Sequence, residues 1–108
     1  MKQVELAWLG GLLEGEGSFL KGPPSSPNQP RISLQMTDYD VIWKVSKMFE
    51  VSYIYGSSDR RSKSWKKVFK VMLKGRRAIA MMKLLRPFMG TRRRKQIDVA
   101  IKSWKGRD

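Results

Sequence analysis

Two carboxylates separated by a single residue stand in the segment Leu9–Gly10–Gly11–Leu12–Leu13–Glu14–Gly15–Glu16–Gly17, within a chain that has few acids. The 108 residues carry 23 Lys and Arg against 9 Asp and Glu, a formal net charge of +14. Carboxylates gathered in one place repel unless protonated or bridged by cations, and a hard divalent ion with oxygen ligands suits such a pair. An ion of that kind can activate water and stabilise the leaving oxygen in phosphodiester cleavage. Other chemistries are closed to this chain. It has no Cys and no His, which removes disulfides, thiolate nucleophiles, thiolate metal sites and imidazole bases or ligands. Glu14 also admits a plainer reading, as a residue that only caps its helix. For Glu16 the plain reading, an exposed turn residue, is set aside.

The glycines before the acids need their own explanation. Gly10 and Gly11 fall inside a helix expected from Gln3 to about Glu14, where each costs about 1 kcal/mol relative to Ala. On a helical wheel Ala7, Gly10, Gly11 and Glu14 share one side, while Leu6, Leu9 and Leu13 take another. A stripe without side chains lets a second helix approach backbone to backbone. The natural partner is the same helix of a second copy, related by a two-fold axis. A homodimer is therefore expected, with Ala7, Gly10, Gly11 and Glu14 at its interface and the acids near the axis.

The elements that must hold this segment follow from periodicity and breakers. Strands are expected over Ser18–Gly22 and Arg31–Met36, joined by the Pro-rich loop Pro23–Pro30. Thr37 or Asp38 caps a second helix with apolar positions Val41, Val45, Met48 and Phe49. Val51–Ser57 and Lys66–Leu73 form a second hairpin around a polar tip at Ser58–Ser64. Gly75 precedes a third helix ending near Leu85, where Pro87 stops it. A last helix runs from about Thr91 to Trp104 with Ile97, Ala100, Ile101 and Trp104 on one face. The expected fold is α+β, αββαββα with an added C-terminal helix, as a single domain over residues 1–108. Its four-stranded antiparallel sheet is backed by helices on one side.

Alternation shows which side that is. Ile32, Leu34 and Met36 interleave with Gln29, Arg31, Ser33 and Gln35; Phe69, Val71 and Leu73 interleave with Lys66, Val68 and Lys70. The outer face thus offers Gln29, Arg31, Ser33, Gln35, Lys66 and Lys70, together with Tyr53 and Tyr55, side chains able to read base edges and phosphates. An ordinary solvated sheet face would look similar, and the charge decides between the two. Folding does not need +14, and self-repulsion is a liability unless a polyanion is present. Only Lys2, Lys21, Arg31, Lys44 and Lys47 of the basic residues precede Arg60, so the second half supplies most of the phosphate attraction. Nucleic acid is the expected partner, with an anionic membrane a distant second. No signal peptide or transmembrane run is present, since the apolar stretch near Leu6–Leu13 is short and flanked by Glu5 and Glu14. A soluble intracellular protein with access to DNA is expected, in cytoplasm, nucleoid or organelle matrix, not a secreted one.

Leu9–Gly17 resembles the LAGLIDADG motif of homing endonucleases, with Glu in place of both Asp residues and Gly at both Ala positions. Leu6–Ala7–Trp8 before it and Ser18–Phe19 after it fit the same pattern. So do Leu34–Gln35–Met36–Thr37–Asp38, leading into the second helix, and Leu85–Arg86–Pro87–Phe88 with the basic run that follows. The resemblance spans nearly the whole chain and is to the single-motif, homodimeric type. It implies a Mg²⁺-dependent double-strand DNA endonuclease, with divalent metal at the dimer axis and a pseudo-palindromic target. It implies Glu16 as direct metal ligand, Gly15 as carbonyl ligand to the same ion, and Glu14 as support for the helix end and the partner chain. Arg92 matches a basic residue over the cleavage site; as Arg it keeps the charge but cannot shuttle a proton. Gln35 and Asp38 are alternative candidates for ordering the catalytic waters. A maturase assisting intron RNA splicing, or a DNA-binding protein without cleavage, would use the same scaffold, and the intact Glu16 favours the enzyme. A generic cationic protein would leave both the glycine stripe and the paired acids unexplained.

Overall fold

A computed structural model of the protein describes residues 1–58 and 67–106. Helix α1 (Gln3–Glu16) leads into strands β1 (Gly17–Leu20) and β2 (Arg31–Met36). Helix α2 (Tyr39–Met48) is followed by strands β3 (Tyr55–Ser58) and β4 (Lys67–Lys74). Helix α3 (Gly75–Leu85), a 3₁₀ turn over Arg86–Phe88 and helix α4 (Thr91–Ser103) complete the order. The sheet runs β1-β2-β4-β3, every neighbouring pair antiparallel. This is the expected α+β architecture.

The alternation in β2 and β4 builds the core. Register sets Gly17, Leu34 and Val71 in one cross-strand row and Phe19, Ile32 and Leu73 in another, and all six are buried. Leu9 and Leu13 of α1, Ile42, Val45 and Phe49 of α2, Ile79 and Met82 of α3 and Ile97 of α4 close over this face. Among the described residues no helix is long and apolar enough to cross a membrane.

Several details differ from expectation, among them β1, which ends at Leu20 rather than Gly22, and β4, which spans Lys67–Lys74. Helix α1 runs on to Glu16, so Gly15 and Glu16 lie in its last turn and β1 starts at Gly17. Strand β3 starts at Tyr55 rather than Val51, which leaves Tyr53 off the sheet. Gln29 also lies outside β2: its N–H closes a turn to the Ser26 carbonyl (3.0 Å). The buried stripe of α2 is Ile42, Val45 and Ser46, continued by Phe49, while Val41 is only half-buried. Lys66 and most of the expected hairpin tip fall outside the described residues.

Two contacts link the helices to one another. At the end of α2, Val51 N–H donates to the Ser46 carbonyl (3.0 Å) and Glu50 N–H to that of Lys47 (3.2 Å). This is a Schellman closure, with Glu50 at the left-handed position (φ 53°). The Arg77 guanidinium of α3 donates to the Phe49 and Glu50 carbonyls, setting a cation at the negative end of α2. Arg86 of the 3₁₀ turn grips Asp98 of α4 through two bonds of 2.8 and 2.9 Å. Those hydrogen bonds hold the Asp98 carboxyl below its ordinary range. Because both groups are exposed, the pair contributes little, and that little is lost as acid protonates Asp98. Gly75 opens α3 at φ 72°, its N–H bonded to the Pro30 carbonyl at 2.9 Å.

These backbone conformations give opposite expectations at two sites. Gly75→Ala places a Cβ in the left-handed region and should lower unfolding free energy by about 1–2 kcal/mol. Glu50→Gly relieves the same conformation and should raise it by about 0.5–1 kcal/mol. Urea unfolding of the two variants reads both signs, and a destabilised Glu50→Gly would count against the closure described.

Candidate functional site

The acidic segment is a helix end welded to a strand. Gly17 N–H donates to the Leu13 carbonyl, and β1 departs at once. A Cβ on Gly17 would lie 2.6 Å from Leu13 Cδ2 and 3.0 Å from its Cα, so this tight exit requires glycine. Helix termination leaves the last carbonyls, those of Glu14 and Gly15 among them, without an i+4 amide. The last turn holds no basic residue of its own, although the negative end of a helix favours a cation. Glu16 is exposed there, and Glu14 is half-buried.

Glu14 turns back into its own chain. Its Oε1 accepts the N–H of Gly90, the N-cap of α4, so a carboxylate sits at the positive end of that helix. Arg93 is only 7% exposed and supplies what α1 lacks. Its Nε donates to the Glu14 carbonyl at 3.0 Å and lies 3.8 Å from Glu14 Oε2, while Nη1 donates to Gln96 Oε1 at 3.0 Å. Arg93 is not among the residues expected in the site; its neighbour Arg92 is, and it lies exposed in the first turn of α4. The apolar face through Ala100 and Ile97, carried back one more turn, arrives at position 93. That phase was the available signal.

Register places the other candidates. Leu34 pairs with Gly17, so Gln35 stands at the end of β1, beside the α1–β1 junction. Gln35 pairs with Lys70, and Lys70 with Tyr55, in one cross-sheet row. Ser18, Ser33 and Met72 form the next row, and Leu20, Arg31 and Lys74 the one after. The structure thus joins Arg31, Ser33, Gln35, Lys70 and Tyr55 on one face and adds Ser18, Leu20, Met72 and Lys74. Asp38 sits past the end of β2 at the α2 N-cap, exposed and without a side-chain capping bond. It does not share the row that carries Gln35. Gln29 and Tyr53 are exposed but lie outside the strands.

The glycine stripe divides in two. A Cβ on Gly10 would lie 2.9 Å from Phe88 Cβ and 3.3 Å from Met89 Cε, whereas one on Gly11 or Gly15 would meet nothing within 4 Å. Gly10 therefore admits the chain's own 3₁₀ turn, and its expected place on an external face is corrected. Ala7, Gly11 and Gly15, spaced four apart, are the small residues that α1 leaves exposed.

No family model and no curated protein sequence matches the chain. Its fold is similar to solved homing endonucleases. The homing endonuclease I-CvuI, in complex with the I-CreI target in the presence of Mg and with its DNA not cleaved, superposes with a TM-score of 0.65 at 14% identity. The match covers 93% of this chain and 65% of that one, so the chain spans just under two thirds of that protein's length. I-CvuI with its own target and Ca gives 0.65 at 15% identity over the same shares. The archaeal intron-encoded I-Vdi141I, complexed with DNA, gives 0.64 at 13%, covering 95% of this chain and 69% of that one.

Removing the buried guanidinium tests the joint. Arg93→Leu leaves the Glu14 carbonyl without a donor and should lower stability by about 1–3 kcal/mol, read by urea unfolding. A loss within about 0.5 kcal/mol, the range of an ordinary surface change, would show that the contact holds nothing.

Proposed function

We propose that the chain is a site-specific double-strand DNA endonuclease of the LAGLIDADG type, acting as a homodimer with a divalent cation, Mg²⁺ or a similar ion, at the dimer axis. The observation that carries this reading is Glu16: an exposed carboxylate in a helix turn without basic residues, at the weld between α1 and a sheet whose outer face bears Arg31, Gln35, Lys70 and Lys74. The similarity of fold to DNA-bound homing endonucleases supports it.

The donor set fits half of a metal site. Glu16 offers a carboxylate oxygen and Gly15 a last-turn carbonyl, both hard ligands suited to Mg²⁺. Among the described residues no group of three or more acidic, His or Cys side chains gathers within one chain. The remaining oxygens would then come from phosphates, water and the same residues of a second copy. Such an ion, when bound, supplies an activated water and neutralises charge at the leaving oxygen. The protein's own contribution is placement. Arg93 and the Glu14–Gly90 contact hold the turn that carries Glu16, and Arg92, exposed in the first turn of α4, would hold a phosphate. Gln35 of β2, beside the α1–β1 junction, would order the water in preference to Asp38.

The second copy would approach along Ala7, Gly11 and Gly15, the open small residues of α1. Gly10 and the Glu14 carboxylate are engaged inside the chain and act on the dimer only through the shape of the helix. The two outer sheet faces would then lie in the major groove on either side of a central minor groove. Arg31 and Gln35 would read bases there, and the surrounding Lys and Arg would hold the backbone.

Two substitutions separate the parts of this reading. Glu16→Gln keeps the shape and removes the charge, so it should abolish Mg²⁺-dependent cleavage of the target duplex and leave its binding within about threefold or tighter. Cleavage at the wild-type rate by Glu16→Gln would remove Glu16 from the chemistry. Gly11→Leu should turn a dimer into a monomer by light scattering with little loss of monomer stability, because nothing within the chain meets its Cβ. An unchanged mass would place the interface elsewhere.

A further inference from the structure

Three aromatic rings near the β3 edge, those of Tyr39, Trp43 and Tyr53, lie off the sheet face described above. Tyr39 and Trp43 are each 50% exposed, and Tyr53 is 64% exposed. Between α2 and the segment before β3 runs an open groove of about 420 Å³, lined in part by Tyr39, Trp43, Ser46, Lys47 and Tyr53. Tyr53 meets Tyr55 edge to face, with ring centroids 4.5 Å apart, and Tyr55 continues into the row of Lys70 and Gln35. At the other end Tyr39 packs edge-on to Phe69 at 4.9 Å. Ammonium groups interleave with the rings: Lys47 Nζ lies 5.2 Å from the Trp43 ring centre, and Lys67 Nζ lies 5.6 Å from that of Phe69. The belt therefore wraps the sheet edge from the helix side to the polar face.

Large rings left in water and rimmed by polar groups mark a contact surface, and the chemistry of this groove selects its occupant. Among the described residues its lining holds a lysine and no acid, in a chain of net charge +14, which turns away basic partners and favours anionic ones. The opposite sheet edge offers a contrast, a groove between Phe19, Leu20 and Val99 whose apolar lining is mainly aliphatic. Aromatic faces with an ammonium beside them instead match a nucleobase and its phosphate, for bases of any sequence. Paired bases in a duplex are already stacked and cannot present their faces, so the fit is to unpaired ones.

We propose that this groove binds the unpaired bases of a single-stranded nucleic acid, with Trp43 and Tyr53 as stacking platforms and Lys47 as phosphate contact. The site is separate from the cleavage centre proposed above and does not depend on it. Fluorescence anisotropy of the full chain tests it with labelled strands of about 12 nucleotides: oligothymidine, oligouridine, an abasic strand of equal length, and a duplex. The wild type should bind the base-bearing strands about tenfold more tightly than the abasic one. The Trp43→Leu variant should lose most of that margin and keep duplex affinity within about twofold, while Trp43→Phe should retain it. The thymidine and uridine strands distinguish DNA from RNA as the source, and binding of either supports the site. The proposal fails if the abasic strand binds as well as the others, or if Trp43→Leu weakens duplex and single strand alike. It also fails if Trp43→Leu shifts the solution mass, which would assign the groove to a contact between copies.

Discussion

The joint between the end of α1 and the start of α4 is the constraint on which the rest of the structure depends. A helix that ends on two acids, with no basic residue in its last turn, places negative charge where its own dipole is already negative. Left to itself that end would fray. The chain answers with one buried guanidinium: Arg93 takes the Glu14 carbonyl and stands near the Glu14 carboxylate, while that carboxylate holds the first turn of α4 through Gly90. Each helix thus satisfies the other's terminus. Because Gly17 sends the backbone straight into β1, fixing this turn also fixes the sheet edge, the row that carries Gln35 and the direction in which Glu16 is presented.

A division of labour between neighbouring residues follows. Glu14 and Arg93 are spent on structure, and Glu16 and Arg92, each one or two residues away, remain exposed. Gly10 and Gly11 divide in the same manner, the first admitting Phe88 and Met89 and the second open to solvent. In the proposed enzyme the inner member of each pair holds position and the outer member meets DNA, metal or the second copy. The large positive charge fits this arrangement. It opposes compaction in the free protein and is relieved on a polyanion, so its cost is conditional on the absence of the partner.

Much of this was legible in the residues. Strict alternation in Arg31–Met36 gave β2 and its two faces, because a period of two admits no other inward set. Breakers at Pro30, Gly75 and Pro87 bounded the elements correctly, since each changes what the backbone can do. The errors share a cause: they lie where tertiary contacts override local preference. Gly15 weakens a helix by itself, so α1 was expected to stop near Glu14. The contacts of Glu14 with α4 hold that end, and the helix runs on to Glu16. A helical wheel groups Gly10 with Gly11 but cannot say that the 3₁₀ turn reaches one and not the other. Arg93 sits in a run of three arginines of equal appearance, and only the phase of Ile97 and Ala100 marks it as inward. Tyr53 reads as a strand residue by type, yet the Schellman closure at Glu50 delays β3 to Tyr55 and sends Tyr53 toward Trp43.

In the proposed enzyme one chain presents half of a symmetric cleavage centre. Selection of cut sites from randomised duplex DNA in Mg²⁺ tests it most directly, because it requires no knowledge of the target. Enriched sequences should be pseudo-palindromic, cut on both strands at positions symmetric about the centre, with no product when the metal is chelated. Enriched sites without two-fold symmetry, or a library left intact in Mg²⁺, would contradict it.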